Sequence, residues 1–328
     1  MNKIVLITGI NGMDGSHLAE FLLEKGYYKI FGLMRRSSTD NTWRIKKILD
    51  KIEIVNGDMT DSSSLNKVIQ LVKPDEVYNL AAQSYVRASW DAPESTLDIN
   101  GMGVVRLLEA IRLFGKKETK MYQASSSEQF GKIREIPQIE TTPFYPRSPY
   151  GVSKCFAHYA CVNWRESYNM FISCGISFNH ESFRRGLEFV SRKISHNVAK
   201  IRLGLANHIQ LGNLEAKRDF GYAPEFVEAF YNILQLDKPD DFVLSTGENH
   251  SIEEFVQEAF KVADINNWED YVIYDDKMMR PAEVDFLLGD SGKAQKAFGW
   301  QPKVLFKELI TIMVNSDIER LERGDVIG

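Results

Sequence analysis

Cysteine and long apolar runs are scarce in this 328-residue chain. It has three cysteines, Cys155, Cys161 and Cys174, and no run of about 18 uncharged apolar residues. An odd cysteine count at these spacings excludes a paired disulfide framework and matches no common zinc pattern, so we expect no metal site. Because no apolar run is long enough, we expect no membrane span. So few cysteines suit a reducing compartment, and we therefore expect a cytoplasmic protein.

An excess of charge of either sign is also missing. Forty Lys+Arg against 45 Asp+Glu give a formal charge of -5, and no long basic run occurs. This balance argues against a nucleic-acid partner but leaves room for a local basic pocket. Apolar residues make up 44% and charged residues 26%, which excludes a disordered or low-complexity chain. At about 150 residues per domain, the length predicts two domains.

Short apolar runs alternate with longer amphipathic segments through the first half of the chain. The predicted strands are residues 4–7, 30–34, 52–55, 76–80, 120–124 and 171–178, followed by two short strands at 209–211 and 242–245. The predicted helices are 16–25, 62–72, 103–114 and one beginning near Tyr150, then 186–203, 224–236, 251–262 and 306–321. The alternation predicts an α/β fold, a Rossmann-type doubly wound parallel sheet, with a smaller C-terminal mixed α/β lobe.

Three glycines follow the first predicted strand with the spacing G-x-x-G-x-x-G. Glycine permits a tight turn and a close backbone approach to a pyrophosphate, which the next helix N-terminus attracts. A turn formed for steric reasons alone is the alternative, but the position between strand and helix favours a dinucleotide site. The predicted cofactor contacts in this loop are Gly9, Asn11, Gly12, Met13, Asp14 and Gly15.

The end of the second predicted strand carries two arginines and two serines where an NAD site usually has Asp or Glu. A guanidinium suits a 2′-phosphate, so we expect NADP, with Arg35 as the phosphate contact. Arg36 is explained equally well as a solvated loop charge. Residues after the third and fourth strands complete the predicted cofactor site: Asp58, Met59, Leu80, Ala81, Ala82 and Gln83.

Tyr150 and Lys154 lie four residues apart, on one face of a predicted helix. A nearby ammonium lowers the pKa of a phenol, so we expect Lys154 to make Tyr150 a base near neutral pH. Such pairs are usually a packed tyrosine beside a solvated lysine, but the upstream glycine loop favours catalysis here. The fifth strand ends in a serine-rich turn in which Ser126 can polarise a substrate oxygen. Glu128 in the same turn suits proton abstraction at carbon, unless it is simply a solvated loop acid.

Six blocks of sequence are similar to the GDP-mannose 4,6-dehydratase family of extended short-chain dehydrogenases/reductases. They are residues 79–84, 122–128, 142–151, 178–182, 216–219 and 280–285. The resemblance implies an NADP-binding Rossmann domain at residues 1–180, to which later segments can return, and a mainly GDP-sugar-binding lobe at 181–328. It also implies a homo-oligomer, a dimer or tetramer, with the loop at 35–42 near a neighbouring subunit.

The resemblance further implies a mechanism. Tyr150, assisted by Lys154, takes the C4 hydroxyl proton as hydride leaves for a tightly bound NADP, which is regenerated at each turnover. Glu128 takes the C5 proton, water leaves C6, hydride returns to C6, and Ser126 holds the C4 oxygen. The implied cofactor contacts also include Ser84, Tyr150, Lys154, His180 and Arg185. The implied substrate contacts are Ser84, Ser126, Glu128, Asn179, Val190, Lys193, Arg218, Arg280 and Glu283.

Three positions depart from the family pattern. Met13 stands where the family usually has glutamine, Ser126 where it has threonine, and Phe183 where it has proline. Serine keeps the hydroxyl, whereas Met13 and Phe183 leave a manno-configured relative such as GDP-manno-heptose open as the substrate. A nucleotide-sugar 4-epimerase or reductase and a non-catalytic NADP-binding protein are the alternatives, and Glu128 favours the dehydratase because an epimerase needs no base at C5.

Overall fold

The computed structural model describes residues 2–275, 284 and 286–325. Its strands are β1 (Lys3–Thr8), β2 (Tyr28–Met34), β3 (Glu53–Asn56), β4 (Glu76–Asn79), β5 (Lys120–Ser126), β6 (Phe171–Ser177), β7 (Asn179–Glu181), β8 (Ile209–Leu211), β9 (Lys217–Arg218), β10 (Phe220–Tyr222), β11 (Phe242–Leu244), β12 (His250–Ser251) and β13 (Val272–Tyr274). Its helices are α1 (Met13–Glu24), α2 (Ser62–Val72), α3 (Ala88–Asp91), α4 (Pro93–Leu97), α5 (Gly103–Phe114), α6 (Pro149–Tyr168), α7 (Val190–Arg202), α8 (Ala223–Gln235), α9 (Ile252–Val262), α10 (Gly292–Phe298) and α11 (Phe306–Glu322).

Seven parallel strands form the main sheet in the order β11-β6-β5-β4-β1-β2-β3. The strand order reverses beside β1, which pairs with β2 on one side and β4 on the other. The carboxyl ends of these strands therefore open at the same edge, where ligands bind in such sheets. The prediction of a doubly wound parallel α/β sheet is confirmed.

Both faces of the sheet are buried, as parallel strands require. Val5 and Ile7 of β1 face a core that includes Phe226 and Phe230 of α8. Leu6, between them, faces the opposite core beneath α2 and α5. Alternate side chains of one strand thus hold helices on both sides of the sheet.

A third core lies outside the sheet and joins α7, α9 and α11. The guanidinium of Arg192 and the carboxylate of Asp317 form a fully buried ion pair there, and Ser195 Oγ donates to the same carboxylate at 2.7 Å. Helix α7 begins at Val190, later than predicted, because residues 182–189 form turns closed by the Arg185 and Phe189 N–H groups.

Five short strands, β7, β9, β10, β12 and β13, were not predicted, because two or three residues are too few to show alternation. Within the described ranges no helix is long and apolar enough to cross a membrane. The same ranges hold no group of three His, Cys, Asp or Glu side chains suited to a metal ion.

Candidate functional site

The glycine loop fits its position only because three residues lack side chains. Gly9 has φ +67°, and a Cβ there would lie 3.0 Å from the Ala81 backbone. A Cβ on Gly15 would lie 2.3 Å from the Gly9 carbonyl oxygen. Gly12 precedes α1 with no side-chain cap, so the first N–H groups of the helix stay open toward the loop. The loop and helix together form an anion-binding corner.

A cavity of about 540 Å³ extends from this loop across the ends of β1, β2, β3 and β4. We call it the glycine-loop cavity. Every cofactor contact predicted from the loop and these strand ends lines it: Gly9, Asn11, Gly12, Met13, Asp14, Gly15, Arg35, Asp58, Met59, Leu80, Ala81, Ala82 and Gln83. Ser84 and Arg185, implied by the resemblance, line it as well. Asn41 and Ser95 also line it and were missed, because neither belongs to a strand end or a recognisable motif.

A second cavity, also of about 540 Å³, opens above the ends of β5 and β6, and we call it the tyrosine cavity. The predicted residues in its lining are Ser84, Ser126, Glu128, Tyr150, Lys154, Asn179, His180, Arg185, Val190, Lys193 and Arg218. Arg280 and Glu283 lie outside the described residues. Asp14, Leu80, Ala82, Ser84 and Arg185 line both cavities, so the two share a wall.

A short 3₁₀ turn after β5 places two of the predicted catalytic residues. Ser126 caps the turn by accepting from the Glu128 N–H at 3.2 Å, while Gln129 Oε1 accepts from the Ser126 N–H at 3.0 Å. Gln129 also donates to the Lys154 carbonyl oxygen at 3.0 Å, which ties the turn to α6. Ser126 and Glu128 are thereby held at the floor of the tyrosine cavity, each less than a tenth exposed.

Helix α6 brings Tyr150 against this turn. Ser148 caps the helix by accepting from the Gly151 N–H at 3.0 Å, and Pro149 follows at the first helical position. The Ser126 side chain lies near enough to the Tyr150 phenol to act on its pKa, in the direction that lowers it. The two hydroxyls can therefore hold one substrate oxygen between them.

The expectation that Lys154 lowers the pKa of the Tyr150 phenol is wrong for this structure. Burial raises the pKa of Tyr150 to about 12, although the Ser126 side chain acts to lower it. The Lys154 ammonium donates instead to the Ala124 carbonyl oxygen at 2.9 Å and lies 5.7 Å from the centre of the tyrosine ring. Burial also lowers the pKa of Lys154 to about 8. Desolvation is the largest cause of the pKa shift at both groups.

His180 and Asp14 join the two halves of the site. His180 Nε2 lies 3.0 Å from Asp14 Oδ2, and Nδ1 lies 2.8 Å from the Phe178 carbonyl oxygen. Burial opposes both charges, but the pair outweighs it, so the pKa of Asp14 is lowered and that of His180 raised. Both ring nitrogens of His180 thus have protein partners, and the imidazole links β7 to the glycine loop.

The described residues that line the tyrosine cavity carry charges of both signs. The cations are Arg87, Lys154, Arg185, Lys193 and Arg218, and the acids are Asp14, Glu128, Glu181, Glu188 and Asp275. Arg87, Tyr85, Phe189 and Asn213 also line the cavity and were missed, because loop residues without a motif give no signal in one sequence. Mixed charge of this kind suits a ligand that combines phosphates with hydrogen-bond donors.

Two departures from the family pattern lie away from the tyrosine cavity. Met13 is buried and lines the glycine-loop cavity. The Phe183 ring packs edge-on against His17 at 5.9 Å and beneath the Arg184 guanidinium at 5.6 Å. Neither side chain is part of the wall that surrounds Ser126 and Tyr150.

The sequence of residues 6–313 matches the family model described as GDP-mannose 4,6 dehydratase. The chain is 51% identical over 342 residues to the GDP-mannose 4,6 dehydratase of Cricetulus griseus, covering 97% of this chain and 92% of that protein. The chain belongs to the GDP-mannose 4,6-dehydratase family. The predicted family membership is therefore confirmed.

Solved structures place the family fold in a wider group. UDP-glucose 4-epimerase of Thermus thermophilus in complex with NAD has a TM-score of 0.83 at 26% identity, covering 98% of this chain and all of that one. RMD from Pseudomonas aeruginosa, complexed with NADPH, has a TM-score of 0.82 at 23% identity, covering 97% and 100%. The dehydratase family thus shares its fold with other proteins that carry nicotinamide dinucleotides.

Proposed function

We propose that this protein is a GDP-mannose 4,6-dehydratase, a lyase that converts GDP-mannose to the 4-keto-6-deoxy sugar nucleotide with loss of water. The convergence of Ser126, Glu128, Tyr150 and Lys154 on one cavity carries the proposal. That cavity shares a wall with a loop shaped for a dinucleotide. Family membership supports the same reaction.

The glycine-loop cavity fits a nicotinamide dinucleotide. The Cβ-free corner at Gly9 and Gly15 gives the backbone room to approach a pyrophosphate. Buried oxygens of Asp14 and Gln83, Oδ1 and Oε1, have no hydrogen-bond partner among the described residues and face this cavity. Arg35, exposed at its rim, supports NADP over NAD because a guanidinium suits a 2′-phosphate. Bound there, oxidised nicotinamide supplies a reversible hydride acceptor and a positive charge that favours the phenolate of Tyr150.

Ser126 and Tyr150 bind the C4 oxygen of the sugar through their adjacent hydroxyls. Tyr150 takes the proton of the C4 hydroxyl as the carbonyl forms, and its burial keeps that proton from being released to water. Lys154, anchored on the Ala124 carbonyl, supplies a fixed positive charge beside the phenol. The C4 ketone then acidifies the proton at C5.

Glu128 removes the C5 proton and gives it to the departing C6 hydroxyl. A single carboxylate suffices because C5 and C6 are adjacent atoms, and the Ser126 cap fixes the backbone from which Glu128 extends. Once hydride has returned to C6 from the bound nicotinamide, Tyr150 passes the proton it holds to C5, so the complete reaction loses one water with no net oxidation. Asn179, Val190, Lys193 and Arg218 line the remainder of the cavity and would hold the GDP portion.

The decisive test is incubation of the purified protein with GDP-mannose and mass spectrometry of the product. We expect loss of one water without added NADPH. GDP-manno-heptose in a parallel reaction tests the substrate preference, and conversion of the heptose alone would change the assigned sugar. Formation of a C4 epimer of unchanged mass, or stoichiometric use of NADPH, would reject the dehydratase in favour of an epimerase or a reductase.

We also propose a homo-oligomer in a cytoplasmic setting, with cofactor bound mainly by residues 1–180 and sugar nucleotide mainly by 181–328. Three exposed apolar side chains, Val152, Phe156 and Tyr159, follow helical spacing along α6 and support contact with a second copy. Free thiols in the chain support a reducing compartment. Light scattering of the wild type and of Phe156→Asp tests the assembly, and a monomeric wild type would reject it.

A further inference from the structure

Helix α6 carries a third buried titratable side chain on its catalytic face. His158 follows Lys154 by four residues, as Lys154 follows Tyr150, so the three lie on one stripe of the helix. His158 is 5% exposed. The proposed reaction uses the first two residues and assigns nothing to the third.

All three side chains meet the end of β5. Tyr150 and Lys154 make the contacts already described, and His158 Nδ1 lies 3.1 Å from Ser125 Oγ. Ser125 is itself part of the cavity lining and sits between the carbonyl that Lys154 binds and the hydroxyl of Ser126. The histidine thus holds the middle residue of the strand end on which the catalytic groups depend.

An ion pair between Asp241 and Arg165 lies on the far side of the imidazole from Ser125 in the chain of contacts. Asp241 Oδ2 lies 3.8 Å from His158 Nε2, and Asp241 accepts two hydrogen bonds of 2.8 Å from the Arg165 guanidinium. Asp241 Oδ1 also accepts from the Cys174 N–H at 3.1 Å, which fixes the carboxylate to β6. Asp241 is thereby held in place, and the imidazole lies between this fixed carboxylate and Ser125.

The other groups packed around His158 are the Cys174 thiol and the rings of Phe144 and Tyr159, whose centres lie 5.1 Å and 5.7 Å from that of the imidazole. Burial disfavours the imidazolium, but Cys174 and Asp241 together outweigh it and raise the pKa of His158. Arg165 acts in the opposite direction.

We infer that His158, braced by Asp241 and Arg165, is a positioning residue that holds Ser125 and thereby fixes the end of β5 for Ser126 and Lys154. This inference rests on the proposed function. Small displacements of reacting groups lower rates steeply, so a loosened strand end should reduce turnover more than substrate affinity.

The test compares His158→Leu, His158→Asn and Ser125→Ala with the wild-type protein in the GDP-mannose assay. We expect His158→Leu and Ser125→Ala each to lower kcat about tenfold with KM changed less than about twofold, and the double variant to lose no more. Asparagine keeps a polar atom near the position of Nδ1 and should recover most of the loss. In His158→Leu and Ser125→Ala, a displaced Ala124 carbonyl should accept the Lys154 hydrogen bond less well. The pKa of Lys154 should then fall, which moves the alkaline limb of the pH profile of kcat to lower pH by about half a unit.

Ala160→Gly on the same helix is the matched control. It should lower the melting temperature by a few degrees without moving the pH profile. If His158→Leu fails to fold, Ser125→Ala decides the question. Wild-type kcat and pH profile in Ser125→Ala, or in a folded His158→Leu, would overturn the inference. A wild-type protein that does not dehydrate GDP-mannose would instead reject the proposed function.

Discussion

The glycine-loop cavity and the tyrosine cavity have similar volumes and share a wall, yet they are built in different ways. The first is formed largely by backbone at successive strand ends, and its key residues are small. The second is formed by side chains from segments more than 200 residues apart, from Asp14 to Asp275. Substitutions that add side-chain volume should therefore impair the glycine-loop cavity most. Substitutions that change a functional group should impair the tyrosine cavity most.

Glu128→Gln should have the largest effect and is the strongest test of the tyrosine cavity. Glutamine keeps the size of the side chain but cannot take the C5 proton, so kcat should fall about a thousandfold with little change in KM. Steady-state assays by mass spectrometry measure both constants. Glu118→Gln, an exposed glutamate ahead of β5, should be indistinguishable from wild type. Full turnover by Glu128→Gln would remove that residue from the mechanism.

Gly15→Ala tests the glycine-loop cavity by adding one methyl group. Its Cβ would lie 2.3 Å from the Gly9 carbonyl oxygen, so the loop must shift, and we expect affinity for the dinucleotide to fall about a hundredfold. Gly12→Ala meets its nearest atom at 3.1 Å and should lose less. Calorimetry of the cofactor-free protein measures both. Equal affinities for the three proteins would contradict the backbone character of this cavity.

Arg35→Ala should change cofactor choice rather than binding as such. Loss of the guanidinium should reduce the preference for NADP over NAD about tenfold, a modest effect because the side chain is exposed. Arg36 is not part of the cavity lining, which makes Arg36→Ala a matched control. A preference unchanged by Arg35→Ala would assign the 2′-phosphate to another group.

Raising the pH above the pKa of Lys154 should lower the activity of the protein and raise its stability. With its pKa near 8, the ammonium is lost as pH rises through that value, and kcat should decline there. The unfolded chain binds the proton up to about pH 10.5, so between 8 and 10.5 the unfolded state holds more protons. The free energy of unfolding should therefore rise with pH in this window, by at most about 1.4 kcal/mol per unit.

Urea unfolding of wild type and Lys154→Met at pH 8 and pH 10 measures this difference. The methionine variant should lack the alkaline gain in stability and should be inactive at both values. An identical pH response of the two proteins would show that Lys154 titrates normally in the folded state.

The sheet and the glycine loop were predictable from the sequence because both depend on short-range patterns. Buried parallel strands such as β1 and β4 are nearly continuous apolar runs, and a loop that needs glycine displays it. Electrostatics were not predictable in the same way. The spacing of Tyr150 and Lys154 indicated proximity, but the desolvation that raises the tyrosine pKa depends on the whole fold.

The lining of the tyrosine cavity was predictable only in part. Val190 and Lys193 came from resemblance, whereas Arg87 and Glu188 carried no signal, since a loop charge near a cavity looks like one in solvent. The short strands that orient Asn179 and Arg218 depend on pairing with distant residues, β7 with β10 and β9 with β12. Local sequence does not encode such partners.

The return of the chain to its own sheet limits how the molecule can be divided. Strand β11 pairs with β6 and becomes the outer strand, although more than 60 residues separate them. A fragment ending at residue 180 would leave β6 as a bare edge and would strip α8 from the core beneath β1. Gene fusion or domain exchange at that boundary would therefore yield an aggregating half rather than a transferable cofactor module.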